Sequence, residues 1–70
     1  MLSINYKDPR PIYEQVRDAL RQLILSGAIA PGEKLPSVRE LAASLAINPN
    51  TIQRSYRELE SLGLINTVPG

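Results

Sequence analysis

Three stretches of the chain carry apolar side chains at helical spacing, and the residues flanking them say where each helix begins and ends. Ile12, Val16, Ala19, Leu20 and Leu23 lie within a stripe of about 100°, with Ile24 on its flank. Arg10, placed before a proline, is pushed out of helical geometry, and Pro11 suits a first helical position, so the first helix is predicted over 11–26 with Gly27 as its cap. Ser37 and Glu40 have the S-x-x-E spacing of a capping box and start a second helix, whose stripe Leu41, Ala42 and Leu45 stops at Ala46-Ile47. After a turn of about four residues, Asn48 can cap and Pro49 can open a third helix, predicted over 49–62 and ended by Gly63.

That third helix separates cleanly into two faces. Ile52, Tyr56, Leu59 and Leu62 fall on one side, and Asn50, Gln53, Arg54 and Arg57 on the other. Two helices joined by a short turn, the second with amide and guanidinium groups near its start, form the layout of a DNA-reading helix-turn-helix. Asn and Gln can pair with adenine in the major groove, Arg with guanine, and a capped helix start attracts a phosphate. Around this unit, Pro31-Gly32 has type II turn preference, and Lys34-Leu35 can form a very short strand. The β-branched stretch 64–68 ends at Pro69-Gly70, a hairpin-turn signature. The expected fold is mainly α with a small β-hairpin: a three-helix winged helix-turn-helix over 1–70, with an arm at 1–10. The wing is cut at its C-terminal end, so the chain reads as a fragment. Leu25 projects onto the solvated face beside Glu14, Asp18 and Arg21, where it can pack against protein outside this sequence, while Glu14–Arg17 and Asp18–Arg21 are spaced as i,i+3 ion pairs.

Composition narrows the function. The 70 residues hold no Cys and no His, which removes disulfides and thiolate or imidazole metal sites and implies no cofactor. No G-x-x-x-x-G-K loop is present, and Glu58 and Glu60, two apart on a helix, do not face one another, so the chain is read as not an enzyme. Apolar runs such as Leu23-Ile24-Leu25 are far short of a membrane span, which points to a soluble, cytoplasmic protein without a membrane partner. Eight Lys and Arg nearly balance seven Asp and Glu, yet positions 37–57 carry three Arg and one Glu. The expectation is a locally basic reading edge on a neutral body, with affinity resting on a few phosphate and base contacts. Tyr56 reads as core, Tyr13 as half-buried packing at the stripe's edge, and Thr51 as core-side with a hydroxyl able to reach a phosphate. Arg39 can pair with Glu40 or reach DNA, and DNA contact is favoured.

The chain resembles the DNA-binding domain of GntR-type transcriptional regulators, a bacterial winged-helix family. The resemblance rests on Pro11-Ile12-Tyr13, Ile24-Leu25-Ser26-Gly27, Pro31-Gly32-Glu33-Lys34-Leu35-Pro36-Ser37, Arg39-Glu40-Leu41-Ala42, Asn50-Thr51, Tyr56-Arg57-Glu58-Leu59-Glu60 and Gly63-Leu64-Ile65. The Pro-Ile-Tyr opening and the Asn-Thr pair are similar to the YtrA-like branch, which carries a short helical C-terminal segment. The resemblance implies a homodimeric regulator on a two-fold-related operator in double-stranded DNA, with any effector bound outside these residues. By motif it implies DNA contact by Arg39 and by Asn48, Asn50, Thr51, Gln53 and Arg54, with Gly70 as the wing glycine. With Ser37 and Arg57 these make up the candidate DNA-binding set. Pro49, Gln53 and Ala46 depart from the family pattern, which more often has a polar or basic residue, Arg and Gly there. Two alternatives differ in class. A winged helix used for protein–protein contact calls for an apolar or acidic recognition face, which Asn50, Gln53, Arg54 and Arg57 do not supply; a DNA-binding domain fused to an aminotransferase-like domain would be decided by sequence beyond Gly70.

Overall fold

The computed structural model describes residues 2, 4–30 and 33–66. Among these the chain forms three helices, α1 (Ile12–Leu25), α2 (Val38–Leu45) and α3 (Pro49–Ser61), so the mainly helical architecture agrees with the apolar periodicity. Pro11 stands just outside α1 and not at its first position: with φ −55° and ψ 149° it is the N-cap. Its carbonyl accepts from the amides of Glu14 at 3.1 Å and Gln15 at 3.3 Å. Ser26 caps the other end, and Gly27 turns the chain away at φ +84°, a conformation glycine adopts without strain.

The predicted capping box opens α2. The Glu40 amide donates to Ser37 Oγ and the Ser37 amide to Glu40 Oε1, each at 3.1 Å. The bond from the Ser37 backbone, then that with its hydroxyl, holds the Glu40 carboxyl below its ordinary range. At the far end Ala46 sits in the left-handed region at φ 55°, ψ 44°. There its amide donates to Ala43 O at 3.3 Å and the Ile47 amide to Ala42 O at 3.0 Å, the bond pair of a Schellman ending. α3 closes the same way through Gly63 (φ +76°), with Gly63 N–H to Glu60 O at 2.9 Å and Leu64 N–H to Leu59 O at 3.0 Å.

The core is Val16 and Leu20 of α1, Leu41 and Ala42 of α2, and Ile52, Tyr56 and Leu59 of α3. Each large aliphatic side chain fully buried here stabilises the fold by about 1.5–3 kcal/mol. Leu62, predicted on the core face, is instead 55% exposed. It is the C-cap of α3, and once Gly63 has reversed the chain, Leu64 packs on the core in its place.

The predicted hairpin is not seen among the described residues, which contain no β-strand. Lys34-Leu35 is irregular, and the start of the expected second strand is held otherwise: the Leu64 amide is spent on the α3 cap, leaving Leu64 and Ile65 half-buried against the core. The Pro31-Gly32 turn and the end of the wing at 67–70 lie outside the described residues. The N-terminal arm, for which no period was legible, is tied down by Gln15, a buried amide (6% exposed) on α1. Gln15 Oε1 accepts from the Asn5 amide at 3.0 Å, and Nε2 donates to Asn5 O at 3.0 Å and Arg10 O at 3.2 Å. Leu2 and Ile4 pack on the core beside it.

Two stability changes follow from the helix ends, both measurable by urea unfolding without DNA. Ser37→Ala removes the α2 cap and is expected to destabilise by about 1 kcal/mol. Ala46→Gly should stabilise by about 0.5–1 kcal/mol, because left-handed strain on alanine of about 1–2 kcal/mol exceeds the extra unfolded-state entropy of glycine. An unchanged or lowered stability for Ala46→Gly would show that the αL strain does not exceed the entropy cost of glycine.

Candidate nucleic-acid interface

The candidate interface begins at the start of α3. Asn48 is its N-cap, Oδ1 accepting from the Asn50 amide at 2.8 Å, and Pro49 occupies the first turn as predicted. Asn48 is exposed, and the cap engages its Oδ1, leaving the Nδ2 donors without a bond among the described residues. Asn50, Gln53, Arg54 and Arg57 are all exposed, within an arc of about 100° opposite buried Ile52, Tyr56 and Leu59. Thr51 is half-buried at the edge of this arc, and Arg39 is exposed on α2. Neither Arg39 nor Arg57 makes an ion pair among the described residues; the Glu40 carboxylate offered to Arg39 by sequence is committed to the Ser37 amide instead. Ser37 is half-buried with its oxygen engaged in the capping box, leaving its hydroxyl proton as the group it can offer. Gly70 lies outside the described residues.

Arg54 sits on the flank of α3 nearest α1. Its guanidinium carbon lies 3.7 Å from the centroid of the Tyr13 ring, and Nε is 3.9 Å from Glu58 Oε2. The other Glu58 oxygen accepts from Arg17 Nη1 at 2.6 Å, while Arg17 Nε donates to Asp18 at 2.9 Å. Asp18 also takes Arg10 Nη1 at 3.0 Å. The predicted Glu14–Arg17 and Asp18–Arg21 pairs are therefore replaced, because Arg17 reaches across to α3 and Arg10 turns back onto α1. Asp18 first and Glu58 second raise the Arg17 guanidinium further above its ordinary value.

Behind the arc, Ser55 is fully buried, and its hydroxyl donates to Tyr13 O at 2.8 Å with Thr51 O at 3.2 Å. A serine in a helix is usually read as surface, and its spacing among Ile52, Tyr56 and Leu59 was the one sequence signal that it faces inward. Tyr13 itself was legible only as half-buried, since which side chain would meet its ring depends on how two distant helices cross. Tyr56, buried as expected, donates its hydroxyl to Pro36 O at 2.6 Å, tying α3 to the segment that leads into α2. No helix among the described residues is long and apolar enough to cross a membrane.

Residues 12–70 match the family model of bacterial regulatory proteins, gntR family. The transcriptional repressor YtrA of Bacillus subtilis is 47% identical over 70 residues, covering 100% of this chain and 54% of that protein. Among solved structures, YtrA from Sulfolobus acidocaldarius, a GntR-family transcription factor, superposes with a TM-score of 0.91 at 39% identity, covering 96% of this chain and 71% of that one. A GntR family transcriptional regulator from Listeria monocytogenes gives a TM-score of 0.81 at 49% identity, covering 90% of this chain and 55% of that one. The chain spans about half the length of the curated relatives it matches.

The tie between α3 and the segment leading into α2 through Tyr56 has a pH signature. Burial, and secondarily the charge of Glu40, push its phenol up to about 12. The unfolded phenol ionises near its ordinary value of about 10, so the native state holds the proton longer. Its contribution is complete below about pH 10 and is lost as pH rises from about 10 to about 12. Tyr56→Phe should destabilise at neutral pH by about 1 kcal/mol, by leaving the Pro36 carbonyl without its donor. Urea titrations at a series of alkaline pH values should find the wild type losing its advantage above about pH 10 and falling below Tyr56→Phe as pH approaches 12, because the proton held by the native phenol outweighs about 1 kcal/mol; a constant difference up to pH 12 would contradict the raised phenol pKa.

Proposed function

The chain belongs to the gntR family of bacterial regulatory proteins, and from that premise we propose that it acts as one sequence-specific DNA-binding domain, with α3 as the recognition helix in the major groove. The observation that carries the reading is the exposed arc Asn50, Gln53, Arg54 and Arg57, set at a capped helix start and opposite a fully buried face. Asn50 and Gln53 supply paired amides for base edges, and Arg54 a guanidinium for guanine. Arg57, Arg39 and the hydroxyls of Ser37 and Thr51 suit phosphates, as does the Asn48 amide at the helix start. Gly70 belongs to a proposed wing that follows Ile65 and completes the winged-helix fold.

In the intact protein the domain works as a homodimer on a two-fold-related operator, with half-sites one helical turn, about 34 Å, apart. It is a cytoplasmic protein, and any effector binds outside these residues. Its role is binding and not catalysis. Glu58 is committed to Arg17, which leaves Glu60 without a facing carboxylate for acid–base chemistry.

Selection of duplexes from random sequence by the intact protein should return a two-fold-related site. On that site Arg54→Ala is expected to weaken binding by about 1–3 kcal/mol and to relax preference at one base pair in each half-site. Gel shifts on matched and single-mismatch duplexes read both effects. An equal loss on every sequence would make Arg54 a phosphate contact, and selection without any sequence preference would remove the recognition-helix reading.

A further inference from the structure

Arg54 differs from Arg39 and Arg57 in that its guanidinium is already placed. The Tyr13 ring lies under it, with Cζ 3.7 Å from the centroid, and Glu58 Oε2 stands 3.9 Å from Nε. Both neighbours are themselves held. Glu58 is fixed through its other oxygen by Arg17 at 2.6 Å. The Tyr13 backbone carbonyl accepts the hydroxyl of Ser55, the residue next to Arg54, at 2.8 Å. Ring and guanidinium are therefore registered to one another across the α1–α3 contact, and the register does not depend on either side chain alone.

We propose that Tyr13 is a specificity-positioning residue, whose ring on α1 holds the Arg54 guanidinium in the plane from which Nη1 and Nη2 address a base edge. The inference rests on the reading of Arg54 as a base contact. A guanidinium stacked on an aromatic face uses its π surface, while its N–H donors lie in its plane and stay free. Tyr13 thus restricts the plane of Arg54 without consuming the donors that recognise a base, and it lowers the rotamer freedom lost on binding. The contact orients Arg54 and does not sequester it. A cation–π contact at an exposed site shifts populations by about two- to fivefold. A paired Arg–guanine contact discriminates by about five- to 150-fold, and the stacked ring leaves the donors that make it free.

The test uses the intact protein, duplexes it selects from random sequence, and every single-base-pair variant of the best site. Wild type is compared with Tyr13→Phe, Tyr13→Leu, Tyr13→Met, Arg54→Ala and the double variant Tyr13→Leu/Arg54→Ala. Tyr13→Leu and Tyr13→Met should each lose about two- to fivefold in discrimination at the base pair that Arg54→Ala relaxes, and keep wild-type ratios elsewhere. Tyr13→Phe should keep the discrimination, and Tyr13→Leu should add nothing once Arg54 is gone. Leu and Met replace the ring with two different apolar shapes at a half-buried site, and thermal melts identify the folded one if either fails. Wild-type ratios in the folded variant, or a loss in Tyr13→Phe equal to that in Tyr13→Leu, would overturn the positioning role while leaving the recognition reading intact. Arg54→Ala relaxing no base pair would overturn both.

Discussion

The structure depends on the burial of one face of α3. Ile52, Ser55 and Leu59 are fully buried, and Tyr56 nearly so, with α1 packed on one side and α2 on the other. A helix has no freedom to roll about its axis once such a face is fixed, because a turn of one residue, about 100°, would exchange core for solvent. The arc Asn50, Gln53, Arg54 and Arg57 therefore points outward as a consequence of packing. Ser55 is the small residue that makes the approach of α1 possible, and its hydroxyl is satisfied by Tyr13 O, so a buried polar group costs little. The same bond puts the Tyr13 ring within reach of Arg54, which joins core packing directly to the geometry of the exposed arc.

Charge follows from that packing. Arg10, Asp18, Arg17, Glu58 and Arg54 form a connected series that runs from the arm through α1 to α3. These pairs are partly exposed, and each contributes about 0–1 kcal/mol, so their main effect is on where charge is available. Glu58, four residues after Arg54 on α3, is paired with Arg17. Arg39 and Arg57 make no ion pair among the described residues, so their guanidinium groups are uncommitted.

What could be read from the sequence was local. The capping box of Ser37 and Glu40, the Asn48-Pro49 start, and the glycines Gly27 and Gly63 each involve residues within about four positions, where spacing maps directly onto geometry. The family motifs were legible for the same reason, as were the two faces of α3. What escaped involves partners set by the crossing of helices: Gln15 with Asn5, Arg17 with Glu58, and Tyr13 with Arg54 are separated by 10, 41 and 41 positions. Leu62 failed for a subtler reason. Periodicity holds only while the helix continues, and the left-handed Gly63 handed its place in the core to Leu64. The hairpin was read from β-branched composition; Leu64 gives its amide to the helix cap, and the end of that stretch, from 67 on, lies outside the described residues.

Ala46 shows how closely the local and the global are coupled at the turn between α2 and α3. Its left-handed conformation is disfavoured for alanine, yet it is the conformation that lets the Ile47 amide return to Ala42 O. That bond brings half-buried Ile47 onto the core and sets Asn48 where its side chain caps α3. A relaxed Ala46 would turn the chain elsewhere, and the buried face of α3 would no longer meet Leu41 and Ala42. The core contacts of α3 hold the turn in place, since losing one large buried side chain costs more than the strain of one left-handed alanine. The orientation of the outward arc is therefore overdetermined by packing, and one strained residue in the turn is tolerated without loosening the surface that α3 presents.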